Sequence, residues 1–195
     1  MKKTLTLTVL TLMLNTVALN TDRVFAETSK NSSGESRHTQ NQPLSKTQSV
    51  ILDLAYSVAV EDGHANPKVL QGIIMQESKG GTAKNFRTAK HKKSSDQTVG
   101  IGQIKVGTAL AVLQAFPEMK QQYKVSAGNI SQALAFNDRF NIAIASKYLK
   151  MMYKINGTDA FAIAAYNKGP GGAQRIKNYN SLHYVRAVKA HIQHL

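Results

Sequence analysis

The stretch Asn66–Lys79, NPKVLQGIIMQESK, decides how the rest of this chain is read. Asn66 before Pro67 is a helix-opening pair: a capping side chain, then a proline whose missing N–H is not needed in the first turn. From there Leu70, Ile73, Ile74 and Glu77 fall at i, i+3, i+4 and i+7, so an apolar stripe carries a carboxylate at its end. The spacing predicts a helix running to about Lys79. A carboxyl on that stripe is partly desolvated, which raises its pKa and suits it to carry a proton near neutral pH. The plainer reading of Glu77 is an ion-paired or rim glutamate near a helix end.

Outward from this helix the same periodicity predicts a mostly helical domain. Val50, Leu54, Ala55, Val58 and Ala59 give a first helix its apolar side, continuing through Val60 to a stop near Gly63. Further helices are expected at Thr108–Phe116, closed by Pro117, and at about Asp138–Tyr153, where Phe140, Ile144, Tyr148 and Met151 repeat before Asn156-Gly157. A short apolar helix fits Asp159–Tyr166, and Ser181–His194 closes the domain. Tyr148 and Tyr184 read as core residues. Strand signals are weak, so the fold class is all-α, with at most a small hairpin around the Glu77–Gln103 connection.

Composition limits which substrates an acid could meet. The 195-residue chain has a formal charge of +14 and no cysteine, which excludes disulfides, thiol catalysis and a lipid-modified N-terminal cysteine. Residues 1–26 read as a secretory signal peptide: Lys2 and Lys3, an apolar run from about Leu5 to Leu19, then small residues Val24 and Ala26 before the expected cleavage. The run is shorter than a membrane span and is interrupted by Asn15, so no stable anchor is expected. Residues 27–47, rich in Ser, Thr, Asn and Gln, read as a polar tether, and 48–195 as one compact domain. Loss of residues 1–26 leaves a charge of +12. Such a field favours polyanions. Without a nucleic-acid motif and with an export signal, anionic wall polymers are better partners than nucleic acid. Lys79, Lys84, Arg87, Lys90, Lys92 and Lys93 form a basic run without an acid, either a solvated loop or a source of attraction to the wall.

Three blocks follow in order: Gln76-Glu77-Ser78, Gly100-Ile101-Gly102-Gln103-Ile104 and Ala165-Tyr166-Asn167-Lys168-Gly169-Pro170. Together they resemble the soluble lytic transglycosylase family, which has a Glu-Ser pair, a Gly-Leu-Met-Gln-Ile-like block and an Ala-Tyr-Asn-Ala-Gly-Pro block. Asn141-Ile142 and Tyr148-Leu149 are similar to the family's intervening helix, and the likeness spans about Val50 to His191. Ile101-Gly102 stands where many members have Leu-Met, and the stretch between Glu77 and Gly100 is longer than in many. Ser94 or Ser95 could take the family's serine position before the glycine block.

The resemblance implies a lysozyme-like helical fold acting on peptidoglycan glycan strands, with no metal and no cofactor. It makes Glu77 the sole catalytic acid and base, with Gly100, Gly102 and Gln103 lining the sugar groove. Tyr166 would lie near the reacting sugar and help orient Glu77, while Ser78 and Asn167 support the site. In the family the nucleophile is the substrate's own C6 hydroxyl, which closes a 1,6-anhydro ring; an intramolecular nucleophile has less need of a second carboxylate. The runner-up is a muramidase that uses water and a second acid, with Asp96 the best placed and Asp138 a poorer choice as a helix cap. A non-enzymatic wall-binding factor of a secretion or conjugation machinery is the third reading. His191 and His194, three apart with no acid nearby, make a poor metal site.

Overall fold

The side chain of Asn137 accepts a hydrogen bond from the N–H of Phe140 at 3.0 Å and so starts the helix around which the rest is built. This is seen in a computed structural model, which describes residues 43–87 and 97–195. In chain order the elements are α1 Lys46–Glu61, α2 Lys68–Ser78, β1 Thr98–Val99, β2 Ile104–Lys105, α3 Val106–Ala115, α4 Glu118–Gln122, α5 Ile130–Phe136, α6 Asp138–Ile155, α7 Asp159–Lys168, α8 Pro170–Gln174, a single 3-10 turn at Tyr179–Ser181, and α9 His183–Gln193. Phe140, Ile142, Ile144, Ala145 and Leu149 are all buried, so α6 is apolar most of the way round, the mark of a central helix. Helices α1, α3, α5 and α7 pack against it. Among the described residues the fold is all-α, as the periodicity predicts, with one two-stranded hairpin around the Glu77–Gln103 connection, where the sequence allows for one.

The first helix begins earlier than the composition suggests. Ser45 accepts from the Gln48 N–H while the Gln48 side chain accepts from the Ser45 N–H, a reciprocal cap that draws Lys46 and Thr47 out of the expected tether and into α1. The rest of that tether up to residue 42 and the expected signal peptide lie outside the described residues. The buried face of α1 is Ile51, Leu52, Ala55, Val58 and Ala59, whereas Val50 is 59% exposed and Val60 52%. Ala55, Val58 and Ala59 are thus buried as expected, while Ile51 and Leu52 take the places expected of Val50 and the half-buried Leu54. No helix among the described residues is long and apolar enough to cross a membrane.

Helix α2 opens and closes within about a residue of its prediction, with Pro67 in the cap position and Lys79 in a left-handed conformation at φ 51°. Its mid-helix glycine has a packing reason. A Cβ on Gly72 would sit 2.8 Å from Ile192 Cγ1 and 3.0 Å from the Val188 carbonyl oxygen, so α9 lies almost backbone to backbone against α2. A glycine inside a helix costs about 1 kcal/mol. Here it admits Val185 and Val188 of α9, both fully buried, to the core. Helices α4, α5 and α8 are not predicted. Each spans two turns or fewer, too short for a periodic stripe to show, although α5 buries Ile130, Leu134 and Ala135.

Candidate active site

Glu77 lies in the last turn of α2, and the close approach of α9 brings Tyr184 onto it. The Tyr184 hydroxyl donates to Glu77 Oε1 at 2.5 Å across 107 residues of sequence. Burial pushes the Glu77 carboxyl above its usual range, and the Tyr184 hydrogen bond works against that rise by favouring the charged form. Burial comes first, with the neighbouring Glu77 charge second, in raising both Tyr184 and Tyr166 well above the ordinary phenol value. Both tyrosines therefore stay neutral donors. Tyr184 is thus not simply a core residue, as its place on the α9 stripe suggests, but the partner of the acid. The signal available in sequence is a hydroxyl on a buried stripe, which needs a hydrogen-bond partner inside.

The hairpin supplies the opposing structure. Thr98 pairs with Lys105 and Val99 with Ile104, leaving Gly100-Ile101-Gly102-Gln103 as the connecting loop. The fully buried side chain of Asn141 on α6 holds this loop from behind: its Oδ1 accepts from Gly102 N–H at 2.8 Å, and its Nδ2 donates to the Val99 and Leu134 carbonyls at 2.9 Å each. Gly100, at φ +77°, could carry no side chain, since a Cβ there would lie 2.1 Å from the Leu134 oxygen and 2.2 Å from Asn141 Nδ2. The Tyr166 hydroxyl donates to the Gly102 carbonyl at 2.7 Å. Gly100 and Gly102 are thus buried within the loop and turned to the protein side rather than lining the cavity as expected, because Phe86, Asn141 and Tyr166 take up their backbone groups. Tyr166 correspondingly bonds the loop and not Glu77, so the orienting contact expected of it falls to Tyr184.

Between α2, the hairpin and α7 lies a cavity of about 260 Å³. Glu77, Gln103, Tyr166 and Asn167 line it, joined by Thr98, Tyr148, Lys105 and Lys168. Among the described lining residues Glu77 is the only acid. The Gln103 amide is largely committed to the loop: its nitrogen donates to the Phe86 and Gly100 carbonyls, and its oxygen accepts from Thr98 Oγ1. Gln103 fixes the wall shape with its backbone at φ +49°. Tyr148, read from sequence as core, packs its ring against Tyr166 with centroids 5.7 Å apart and shares the lining. Ser78 is fully buried away from the cavity, donating to the Ile74 carbonyl and accepting from Gly81 N–H, so it ties down the end of α2 that carries Glu77.

The sequence model of the Transglycosylase SLT domain matches residues 56–184. The chain belongs to this SLT family. No curated protein and no solved structure gives a significant match. SLT membership places the chain among enzymes of the lytic transglycosylase type that act on peptidoglycan, and the matched segment runs from α1 to Tyr184.

Two of the other candidate residues have structural partners within this SLT domain. Asp138 does not cap α6, a place Asn137 takes, but accepts both guanidinium nitrogens of Arg87 at 2.8 Å, while Arg87 also donates to the Ala135 carbonyl. Arg87 therefore pins the segment after α2 to the α5–α6 corner and is not a free charge of the basic run. Asp96, Ser94, Ser95, Lys90, Lys92 and Lys93 lie outside the described residues. The ring of Arg87's neighbour Phe86 sits 4.6 Å from the guanidinium carbon, adding to the same anchor.

Proposed function

We propose that this SLT protein cleaves the β-1,4 bond between N-acetylmuramic acid and N-acetylglucosamine and forms a 1,6-anhydromuramoyl end, with Glu77 acting first as acid and then as base. The supporting observation is a carboxyl that is the only one among the described lining residues of the cavity, raised by burial, with one oxygen already accepting from Tyr184. In this reading the other oxygen carries the proton. It passes to the glycosidic oxygen as the C1–O bond breaks, leaving an oxocarbenium-like centre on the muramoyl ring. The C6 hydroxyl of the same sugar then attacks C1 and returns its proton to the Glu77 carboxylate, which restores the starting state. The nucleophile is already attached to its target, so proximity supplies what a second carboxylate would otherwise do. Tyr184 keeps the acid oriented through both halves. Export to the wall, with residues 1–26 removed after Ala26, completes the proposal and is checked by the N-terminal mass of secreted protein.

Replacing Glu77 by Gln keeps the size and an acceptor for Tyr184 but cannot move a proton, so turnover should fall by at least about 10²- to 10⁴-fold. Folding gives an independent control. A carboxyl raised in the folded state binds its proton more readily folded than unfolded, so its presence lowers stability as pH rises from the usual carboxylate range through the raised value. Above that window Glu77→Gln should be no less stable than the parent, and the activity loss is then chemical. Mass spectrometry of sacculus digests reads the product ends. Near-normal release by Glu77→Gln, or wild-type products with only reducing ends, would refute the mechanism; the latter would favour a hydrolase using Asp96. Sacculus binding with no soluble product would favour the wall-binding factor instead.

A further inference from the structure

Lys168 is where the third block departs from its family, whose pattern has alanine between the asparagine and the glycine. It is exposed, sits in the last turn of α7, and lines the cavity that holds Glu77. Lys105 lines the same cavity from β2. A lysine at a helix C-terminus also offsets the carbonyl dipole, and that purely structural role is the competing account. It does not account for the place of this residue in the lining of the cavity that holds Glu77. The proposed reaction begins with Glu77 protonated, so no anion among the described lining residues competes for Lys168 when substrate arrives. The glycan backbone is neutral except at the C3 lactyl ether of each muramoyl residue, which ends in a carboxylate or in a peptide that bears carboxylates.

We infer that Lys168 pairs with the carboxylate carried by the muramoyl C3 substituent, so that this site prefers carboxylate-bearing strands to neutral N-acetylglucosamine polymers. The inference rests on the reading of Glu77 as the acid that acts on peptidoglycan. Its distinguishing feature is selectivity between two glycans. An exposed pair contributes modestly, and salt screens it over about 8 Å at physiological ionic strength.

The test uses protein carrying Glu77→Gln, so that substrate survives, titrated by calorimetry with muramoyl-containing strands and with chitohexaose. Adding Lys168→Ala should weaken strand binding about 2- to 5-fold at low salt, and less at high salt, with chitohexaose unaffected and Lys168→Arg near the parent. Intact strands offer only the stem carboxylates, because the lactyl carboxyl is tied up in the amide, and stripped strands offer only the freed lactyl carboxylate: a Lys168 effect confined to the first assigns the pairing to the stem, and one confined to the second assigns it to the lactyl group. Equal weakening for both glycans, or a lowered melting temperature with no change in selectivity, would reduce Lys168 to a helix-end lysine and overturn the inference alone. Failure of the Glu77→Gln protein to bind either glycan would overturn both this inference and the peptidoglycan reading beneath it.

Discussion

Replacing Asn141 by leucine tests whether the hairpin is held by its one buried amide. The substitution is nearly isosteric, and leucine is the better helix former, so a simple packing view predicts little loss. The hydrogen bonds predict otherwise. Asn141→Leu would leave the Gly102 N–H and the Val99 and Leu134 carbonyls without the partner that now reaches all three at 2.8–2.9 Å. At about 1–3 kcal/mol for each stranded group, the loss lies between about 3 and 9 kcal/mol. The buried leucine side chain returns about 1.5–3 kcal/mol of that. A net loss of about 3 kcal/mol lowers the melting temperature by about 6–12 °C, at about 2–4 °C per kcal/mol for a chain this size. Thermal unfolding followed by circular dichroism measures it, with Asn137→Ala as the yardstick: removing that cap, on the same helix, costs about 1 kcal/mol. An Asn141→Leu protein no less stable than Asn137→Ala would refute the account.

Two further outcomes follow from the same geometry. Gly100→Ala should fail to fold, because its Cβ meets backbone and amide at 2.1–2.2 Å, whereas Gly102→Ala, with contacts of 3.0 Å or more, should fold with a modest loss of activity as the Tyr166 hydroxyl is pushed off its carbonyl; comparable soluble yields for the two would contradict this. Tyr184→Phe removes a donor that favours the charged acid, so the Glu77 pKa should rise further and the alkaline limb of turnover should move to higher pH, with the maximum about 2- to 10-fold lower. An unchanged pH profile would show that the hydroxyl does not act on Glu77.

Much of the helical frame could be read in the sequence because its long elements carry a stripe. α2 and α6 fall within a residue or two of their predicted bounds, since Pro67 and Asn156 mark ends that the sequence shows, although the cap of α6 is Asn137 and not the expected Asp138. The stripe reports which side is buried, however, and not what a polar atom on that side meets. Tyr184 therefore reads as core although its hydroxyl reaches an acid 107 residues away. The glycine block likewise reads as a groove wall, because close backbone approach is what glycine permits. Here Asn141 and Tyr166 make that approach from the protein side, and nothing local in Gly100–Gln103 points to them. Asn141 itself offers a usable signal, being an amide inside an otherwise apolar helical run, which demands partners. The short helices α4, α5 and α8 remain unreadable for want of length.

The contact between α2 and α9 also makes the acid depend on an element outside the three sequence blocks. Glu77 owes its proton-holding character to burial, and α9, near the C-terminus of the sequence given, packs along its helix and brings Tyr184 onto it. Without α9 in place Glu77 loses its Tyr184 donor and the share of its burial that α9 supplies, and a glutamate so exposed to water is ionised at neutral pH. A fragment that stops short of α9 would carry every residue of the three sequence blocks and yet lack the packing and the Tyr184 hydroxyl that the acid meets in the folded domain.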